Sequence, residues 1–470
     1  MESTLAAPDA LSLGLASPRP VPAVPEAPAE DLPLFAYLKA IRTNAVSGWP
    51  RRAYEDLVIE RRLMGRRSLT LSDPAGIRRV LMDNQANYVR TPASVRILRP
   101  MLGDGLLISE GASWRHQRRT LSPAFTPRAT GELVPHIADA VAAALREIEA
   151  QARSGPVDLF PLLHRMALEI AGRTMFSVGM ERHGEELRAL MVAYSGRLGR
   201  PHLLDMLLPL RVPAPLDLPR ALFRRRWVRF LDRIIAARAA ETAPRAERDL
   251  LDLMGAARDP ETGEGFPPEQ LRDQVATMLL AGHETTAVAL LWACTLLARD
   301  PESQERAAAE ARAADADGDP RGALASRLTF TRAVIDETLR LYPPAFAIVR
   351  AAAGPDTLAG HAISAGDILL MAPWVIHRHR KLWRDPDAFD PGRFLPGAEP
   401  PARYAYLPFG VGPRVCIGAS FALAEATLAL AGLLARFRIA MPDGAPPMPA
   451  AVVTTQPDRA PLFRLTLRAA

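Results

Sequence analysis

Residues Phe409–Gly418 read FGVGPRVCIG and are the most informative stretch of this 470-residue chain. They place Cys416 in a glycine-rich loop that leads directly into residues 419–434, an apolar segment of helical character. The start of a helix presents backbone N–H groups and the positive end of its dipole to such a sulfur. These groups lower the pKa of a thiol and favour the thiolate, the form that binds a metal. The loop therefore predicts a metal-binding cysteine.

The other residues of this loop suit a flat, bulky partner. Gly412 and Gly418 remove side chains that would keep such a partner from the backbone, and Pro413 stiffens the turn. Arg414 lies two residues from the sulfur, where its guanidinium could pair with an acidic group on the partner. The alternative is a buried, inert cysteine, which is the usual interpretation of a lone one. That alternative does not explain why glycines, an arginine and a helix start converge on one sulfur.

Composition predicts one large folded unit without a disulfide framework. The hydrophobic fraction is 49%, which is ample for a sizeable core, and no linker separates folded units. Cys294 and Cys416 lie far apart in sequence, which fits a reducing compartment and predicts a cytoplasmic protein. The formal charge is +6, with both signs interspersed. The basic clusters at residues 224–226 and 377–380 are short, so we expect solvated faces or docking patches for acidic partners, and no nucleic-acid binding.

The beginning of the chain predicts a flexible leader. Residues 1–30 are rich in Ala, Pro, Ser and Glu, and their closely spaced prolines prevent a helix. They contain no basic start followed by a long apolar core. We therefore expect neither a signal peptide nor a transmembrane anchor.

Local signals further along the chain are uneven. Asp73 followed by Pro74 predicts a capped helix start, whereas residues 91–112 predict a mobile loop. Residues 203–219 combine leucines with four prolines and predict an apolar lid over a pocket; the sequence leaves open whether this lid touches a membrane or packs inside. A late hairpin is predicted from residues 451–467, and its threonines could reach the pocket.

A polar interruption marks the centre of the longest predicted helix, which covers residues 267–299. Residues 281–286 read AGHETT, and Ala281 and Thr285 share one helix face. Buried acids and hydroxyls need partners, so the interruption is a candidate functional site. In the alternative interpretation the threonine bonds back to its own helix and Glu284 reaches water. The polar residues also argue against a transmembrane helix.

Two further pairs have helical spacing. Trp114 and Arg118 share one face of a predicted helix, and the ordinary interpretation is a tryptophan packed on an arginine stem. Glu337 and Arg340 are spaced for an ion pair, which contributes little when exposed. Neither pair identifies a function by itself.

Taken together, these stretches resemble the cytochrome P450 superfamily. The loop matches the family's haem-binding pattern of Phe, two residues, Gly, one residue, Arg, one residue, Cys, one residue and Gly. Residues 281–286 resemble its oxygen-activation motif, and residues 111–125 resemble its helix over the haem edge. Residues 337–344 and 389–394 resemble its Glu-Arg and Arg signatures. The matches occur in the family's order and cover roughly residues 100–435.

The resemblance implies a site around haem b, with Cys416 as the axial thiolate ligand of the iron. Ala281 would leave room for dioxygen, Thr285 would hold dioxygen by hydrogen bonds, and Glu284 would pass in protons. Glu284 and Thr285 are the implied catalytic residues. The implied cofactor-binding residues are Trp114, Arg118, Ala281, Arg350, Phe409, Arg414, Cys416 and Gly418.

The resemblance also implies which residues hold the haem propionates and which residues fix the cysteine loop. Trp114, Arg118 and Arg350 would bind a haem propionate. Glu337, Arg340 and Arg393 would form a buried network that fixes the cysteine loop, a role that suits the planar fork of arginine.

The implied fold is mainly α with a small β-rich lobe: the triangular prism of cytochrome P450, with a long central helix over the haem and one catalytic domain at residues 31–470. The implied reaction inserts one oxygen atom of O2 into a C–H bond or double bond of a small apolar substrate. Electrons would come from a separate ferredoxin with its reductase or from a flavoprotein reductase. The alternatives are a peroxide-driven or isomerising enzyme on the same fold and a non-catalytic haem sensor. The sequence does not identify the substrate, the regiochemistry, the redox partner or the oligomeric state.

Overall fold

The computed structural model describes residues 19–63, 65–177, 183–240, 248–315, 327–442 and 446–469. The predicted leader therefore lies partly outside the described residues. Its described part, residues 19–30, contains no helix or strand. It is held against the body of the protein, because the Phe389 N–H donates to the Pro20 carbonyl (3.0 Å) and the Tyr342 hydroxyl donates to the Ala23 carbonyl (2.9 Å).

Helices dominate the described residues. In chain order they are α1 (Leu34–Thr43), α2 (Pro74–Arg78), α3 (Pro92–Leu102), α4 (Gly111–Leu121), α5 (Pro127–Ala152), α6 (Leu159–Phe176), α7 (Gly184–Ala193), α8 (Leu203–Leu207), α9 (Asp217–Ala239), α10 (Leu250–Ala256), α11 (Pro268–Leu297), α12 (Pro301–Asp315), α13 (Thr329–Leu341), α14 (Pro373–Ile376) and α15 (Ala419–Arg436).

The strands form small sheets. In chain order they are β1 (Val58–Leu63), β2 (Arg66–Leu71), β3 (Tyr88–Val89), β4 (Val157–Asp158), β5 (Ile348–Ala352), β6 (Asp356–Leu358), β7 (His361–Ile363), β8 (Ile368–Met371), β9 (Phe437–Ala440), β10 (Pro449–Ala451), β11 (Thr455–Pro457) and β12 (Leu462–Leu467). The largest sheet has the order β1-β2-β8-β5-β3. Its β2–β8 pair is parallel, with Leu69 opposite Leu369, and its other pairs are antiparallel. The predicted late hairpin is wrong in its pairing, because β11 pairs with β10 while β12 pairs with β4 and β9.

Helix α11 runs through the centre of the fold, and its two ends belong to different parts of the core. Near its N-terminus Val275, Ala276 and Leu279 pack in one apolar cluster. Residues 287–297 are all buried, and the apolar ones belong to a second cluster, which includes side chains of α5, α6, α13 and α15. Ala281 lies between the two clusters and is exposed. Because this helix is central, an exposed residue at its middle indicates interior space beside it.

Helices α11 and α15 are both long and apolar enough to cross a membrane. In α11 78% of the most apolar window is buried inside the protein, and in α15 the figure is 50%. The core helix of a soluble protein passes the same test of length and composition. The two helices pack against each other in the interior, which fits core helices.

Two sequence expectations about local structure are wrong. Residues 91–112 are not one loop, because α3 begins at Pro92, where the Thr91 hydroxyl caps the Ser94 N–H at 3.2 Å. The basic cluster at residues 377–380 is not a solvated face. Its first three residues are buried, and the guanidinium of Arg378 lies 3.8 Å from the centre of the Trp374 ring. A guanidinium can be buried against an aromatic face because the ring quadrupole attracts the cation.

Candidate active site

The cysteine loop closes on itself by backbone hydrogen bonds. The Cys416 N–H donates to the Phe409 carbonyl at 2.9 Å, and the Val415 N–H donates to the Gly412 carbonyl at 3.0 Å. Gly412 has φ +79, and a Cβ there would lie 2.2 Å from the Leu81 carbonyl oxygen. The glycine is therefore required by a neighbouring backbone and by its own left-handed conformation.

Gly418 differs from Gly412, because a Cβ at Gly418 would meet no protein atom within 4 Å. Gly418 precedes α15, and its backbone N–H bonds to the Cys416 sulfur. Of the two glycines that the sequence assigns to a flat partner, Gly418 is the one that borders open space.

The Cys416 sulfur lies within hydrogen-bond reach of the Gly418 N–H. Burial raises the pKa of the thiol, while the Gly418 N–H and the Arg118 guanidinium act in the opposite direction. The sequence expectation of a lowered thiol pKa is therefore not met by the protein groups alone, since desolvation outweighs them. Cys416 is nevertheless exposed. Both observations hold for a side chain that faces an interior cavity. The other cysteine, Cys294, is fully buried, and burial raises its pKa to about 12.

Three guanidinium groups meet beside the loop around a single carboxylate. Arg350 and Arg414 line one cavity, and Arg414 pairs with Glu110. Arg90 lies near both, and burial together with these two cations lowers its pKa to about 9. Burial and Arg414 lower the pKa of Arg350 to about 10. Three cations and one carboxylate leave a formal excess of +2, and the buried Nε of Arg90 has no hydrogen-bond partner. The charge and the planar donors of this cluster suit a dianion.

Helix α4 brings its two predicted residues to the same loop. The Arg118 guanidinium donates to the Val415 carbonyl at 2.8 Å. Trp114 is buried, and the Arg414 guanidinium lies 4.3 Å from the centre of its ring. Trp114 and Arg118 share one face of α4, as their spacing predicts, and this face contacts the cysteine loop.

The central interruption of α11 presents Ala281 and Thr285 to the interior space. Ala281 is exposed and Thr285 is half-buried. The Thr285 hydroxyl donates to the Ala281 carbonyl at 2.7 Å, which is the back-bonding that the alternative interpretation expects. This bond uses the hydroxyl hydrogen and leaves the oxygen free to accept a hydrogen bond from a molecule in the cavity.

Glu284 is held by a different part of the chain. Its Oε1 accepts hydrogen bonds from the Thr454 hydroxyl at 2.5 Å and from the Gln456 side-chain amide at 2.7 Å. Both donors belong to the turn and second strand of the β10–β11 hairpin. The half-buried carboxylate is therefore bound to protein rather than only to water.

A protein-family model matches nearly the whole sequence of this chain. The model of the cytochrome P450 family matches residues 28–462. This chain belongs to the cytochrome P450 family. The predicted family and the predicted fold class are thus confirmed.

Curated relatives of this cytochrome P450 include two that are named as oxygenases. Cyclooctatin synthase of Streptomyces melanosporofaciens is 35% identical over 398 residues, which cover 82% of this chain and 83% of the relative. Cyclooctat-9-en-7-ol 5-monooxygenase of the same organism is 32% identical and covers 73% of this chain and 74% of its own length. Pentalenene oxygenase of Streptomyces avermitilis is 32% identical, with 79% and 81% covered. This cytochrome P450 is a monooxygenase.

Solved structures agree with the fold. A crystal structure of a cytochrome P450 (CYP102L1) superposes with a TM-score of 0.79 at 26% identity, covering 95% of this chain and all of the other. The haem domain of cytochrome P450DA superposes with a TM-score of 0.78 at 25% identity, with 94% of each chain covered. The mainly helical fold with small sheets is therefore that of the family.

The family's cofactor is a haem bound through a cysteine thiolate, and the residues of this cytochrome P450 fit such a group. Cys416 is the cysteine that faces open space, whereas Cys294 is buried in α11. The formal excess of +2 beside the loop equals the charge of two ionised propionates. Arg90 belongs to that excess but carries no local sequence signal, because its neighbours in space come from β5 and the cysteine loop.

A buried acid that sequence reasoning missed lies between two of the central helices of this cytochrome P450. Glu425 of α15 is 2% exposed, and its Oε2 accepts a hydrogen bond from the Thr286 hydroxyl at 3.2 Å. Burial raises its pKa to about 8, so the carboxyl is mainly protonated at neutral pH. Its signal in the sequence is a lone acid within the apolar run 419–434.

The predicted charge network is present at the end of α13. Glu337 and Arg340 are fully buried and form two hydrogen bonds of 2.6 and 2.7 Å. Arg393 Nε lies 3.6 Å from Glu337 Oε1. Arg340 also donates to the carbonyls of His377, Pro386 and Ala388. The network thus ties α13 to the segment that leads toward the cysteine loop.

Proposed function

We propose that this monooxygenase binds haem b through Cys416 and inserts one oxygen atom of O2 into an apolar substrate. The observation that carries the proposal is the exposed Cys416 in a loop where Gly418 borders open space. Arg414 of the same loop belongs, with Arg90 and Arg350, to a cluster of cations that we call the cationic cluster. The overall reaction is RH + O2 + 2e− + 2H+ → ROH + H2O, or the corresponding epoxidation of a double bond. The bound haem supplies the activation of O2 and the oxygen transfer.

The protein residues hold the cofactor and handle protons. Cys416 would bind the haem iron through its thiolate, and Phe409 and Gly418 would border the ring. The cationic cluster, which comprises Arg90, Arg350 and Arg414, would pair with the propionates, as would Trp114 and Arg118. Ala281 leaves room for O2, and the Thr285 oxygen accepts a hydrogen bond there. Glu284 supplies protons to this face of α11.

The names of two relatives support a proposal for the substrate class. Pentalenene is by its name an alkene, and cyclooctat-9-en-7-ol is an unsaturated alcohol. Phe346 and Ala347 pack at the edge of the core beside β5, where they offer apolar contacts. We infer that the substrate is an alkene or alkenol with few polar groups and that it binds between residues 346–349 and α11. Apolar side chains there would stabilise the bound substrate, because removing its apolar surface from water is favourable.

The electrons come from a separate protein, either a ferredoxin with its reductase or a flavoprotein reductase, in the cytoplasm. Residues 31–470 act as one catalytic domain. Exposed arginines such as Arg128, whose side chain is 93% exposed, suit an acidic electron donor.

The test is spectroscopic first. The reduced protein under carbon monoxide is expected to give the absorption band diagnostic of a thiolate-ligated ferrous complex. Cys416→Ser should lose this band and remain folded by circular dichroism, while the matched variant Cys294→Ala should keep it. If Cys416→Ser keeps the band, the ligand assignment is wrong.

The reaction is tested with isotope-labelled O2. In the presence of an electron donor and a cyclic alkene that perturbs the ferric spectrum, one labelled oxygen atom should enter the product. Product formation with hydrogen peroxide, but not with O2 and a reductase, would instead identify a peroxide-driven enzyme.

A further inference from the structure

Glu284 is bound by two uncharged donors from a distant part of the chain. Thr454 and Gln456 lie 170 and 172 residues away in sequence, and both donate to the same carboxylate oxygen, Oε1. Thr454 is 8% exposed. Hydrogen bonds from neutral donors to an ionised carboxylate are stronger than those between neutral groups, so the two donors select one orientation of the Glu284 side chain.

The donors themselves are rigidly placed. Thr455, which lies between them, is fully buried. Its carbonyl accepts from the Trp292 indole N–H at 2.7 Å, and its hydroxyl donates to the Pro343 carbonyl at 2.7 Å. At the other strand, the Ala451 N–H donates to the Asn44 side chain at 2.9 Å. The β10–β11 hairpin is thus anchored at both strands. These anchoring bonds fix the positions of Thr454 and Gln456 independently of Glu284.

The two donors differ in what they can do with a proton. A hydroxyl both donates and accepts, so the Thr454 proton can pass to the Glu284 carboxylate while the Thr454 oxygen takes a proton from solvent. An O–H bond breaks on the threonine and forms on the glutamate, and the hydroxyl is then restored. An amide such as Gln456 donates but does not relay a proton in this way, so it orients the carboxylate only.

We propose that Thr454 and Gln456 are positioning residues for Glu284, and that Thr454 also relays protons to it. The inference rests on the proposed function, because it assumes that Glu284 supplies protons to the Ala281–Thr285 face. Neighbouring residues of a helix do not face each other, so the hairpin holds the carboxylate beside that face rather than on it. Proton supply then depends on the hairpin as well as on α11.

The experiment compares Thr454→Val, Thr454→Ser and Gln456→Met with the wild type. Thr466→Val is the matched control, because Thr466 is an exposed residue of β12. Product and hydrogen peroxide are measured per electron pair consumed, together with the solvent isotope effect on product formation. The carbon monoxide band is recorded for each variant, so that loss of haem is separated from loss of protons.

Thr454→Val is expected to lower the ratio of product to peroxide by about tenfold, as the loss of one charge-assisted hydrogen bond predicts, and to raise the solvent isotope effect. Thr454→Ser should restore both values. Gln456→Met should lower the ratio with a smaller change in the isotope effect. Thr466→Val should match the wild type.

Glu284→Gln separates this inference from the proposed function. If Glu284→Gln keeps the wild-type ratio of product to peroxide, the proton role of Glu284 itself is wrong. If Glu284→Gln releases peroxide while Thr454→Val and Gln456→Met match the wild type, only the hairpin role is overturned. If Thr454→Ser fails as Thr454→Val does, the threonine acts through packing, and the relay is overturned.

Discussion

At the scale of single residues, Glu425 shows how position alone sets the charge of a side chain. It lies in an apolar helix with one hydrogen bond from Thr286, which is too little to stabilise a buried carboxylate. Burial raises its pKa from the ordinary 4.5 to about 8, so the folded protein binds this proton more tightly than the unfolded chain does. Its contribution to stability is therefore fully present below about pH 4.5 and is lost as pH rises through about 8.

Glu425→Gln is expected to remove this pH dependence, because glutamine is similar in shape and does not titrate. Relative to the variant, the wild type should lose roughly 4 kcal/mol of stability between pH 5 and pH 9. The measurement is the midpoint of thermal unfolding of both proteins across that range. Glu132→Gln, at a side chain that is 56% exposed, is the matched control. A difference between wild type and Glu425→Gln that stays constant with pH contradicts the prediction.

At the scale of elements, the same helix-start signal occurs twice in the sequence, and the structure has a helix at both positions. Asp73 with Pro74 predicts a helix start, and Asp73 does cap the Gly76 N–H at 2.7 Å. Thr91 with Pro92 carries the same signal, but the prolines and glycines of the stretch favoured a loop. By contrast, the cluster of basic residues at 377–380 favours a solvated face, although Trp374 lies four residues before Arg378, at the spacing that brings Trp114 and Arg118 onto one face. The helix at Pro373–Ile376 is too short for a periodic pattern to show that Arg378 is buried against Trp374.

The buried pair of Glu337 and Arg340 lies at the end of α13. Glu337→Ala leaves the guanidinium of Arg340 buried without its carboxylate, which costs about 3–5 kcal/mol. We expect haem-free or insoluble protein, measured as haem per polypeptide and as soluble yield. Arg332→Ala in the same helix is the matched control: its pair with Asp336 is partly exposed, with 45% of the Arg332 side chain accessible. Full haem occupancy in Glu337→Ala would show that the network does not fix the loop.

At the scale of the whole molecule, the sequence supports predictions for residues that sit in short motifs and fails for residues that meet only in space. Cys416 and Ala281 belong to runs of six to ten residues whose spacing is informative. Gln456 and Arg90 do not, since their partners come from segments far away along the chain. The hairpin pairing failed for the same reason, because β12 finds its partners in β4 and β9.

The N-terminal segment, residues 19–30, also contacts parts of the chain that are distant in sequence. The Pro20, Ala23 and Pro28 carbonyls accept hydrogen bonds of 3.0, 2.9 and 2.8 Å from three separate places in the body of the protein. One donor is the Phe389 N–H, and the N–H of the next residue, Asp390, donates to Glu337 at 2.8 Å. The segment therefore braces the charge network from outside.

Deletion of residues 1–30 is expected to lower the midpoint of thermal unfolding, because three hydrogen bonds of about 1 kcal/mol each are lost, together with the ion pairs Arg19–Asp390 and Arg51–Glu26. Tyr342→Phe removes only the bond to the Ala23 carbonyl, so it should reproduce at most about a third of the effect. Deletion of residues 1–18 removes none of the three bonds and serves as the control. If deleting residues 1–30 changes the midpoint no more than deleting residues 1–18 does, residues 19–30 do not brace the network, and its stability comes from α13 and the cysteine loop alone.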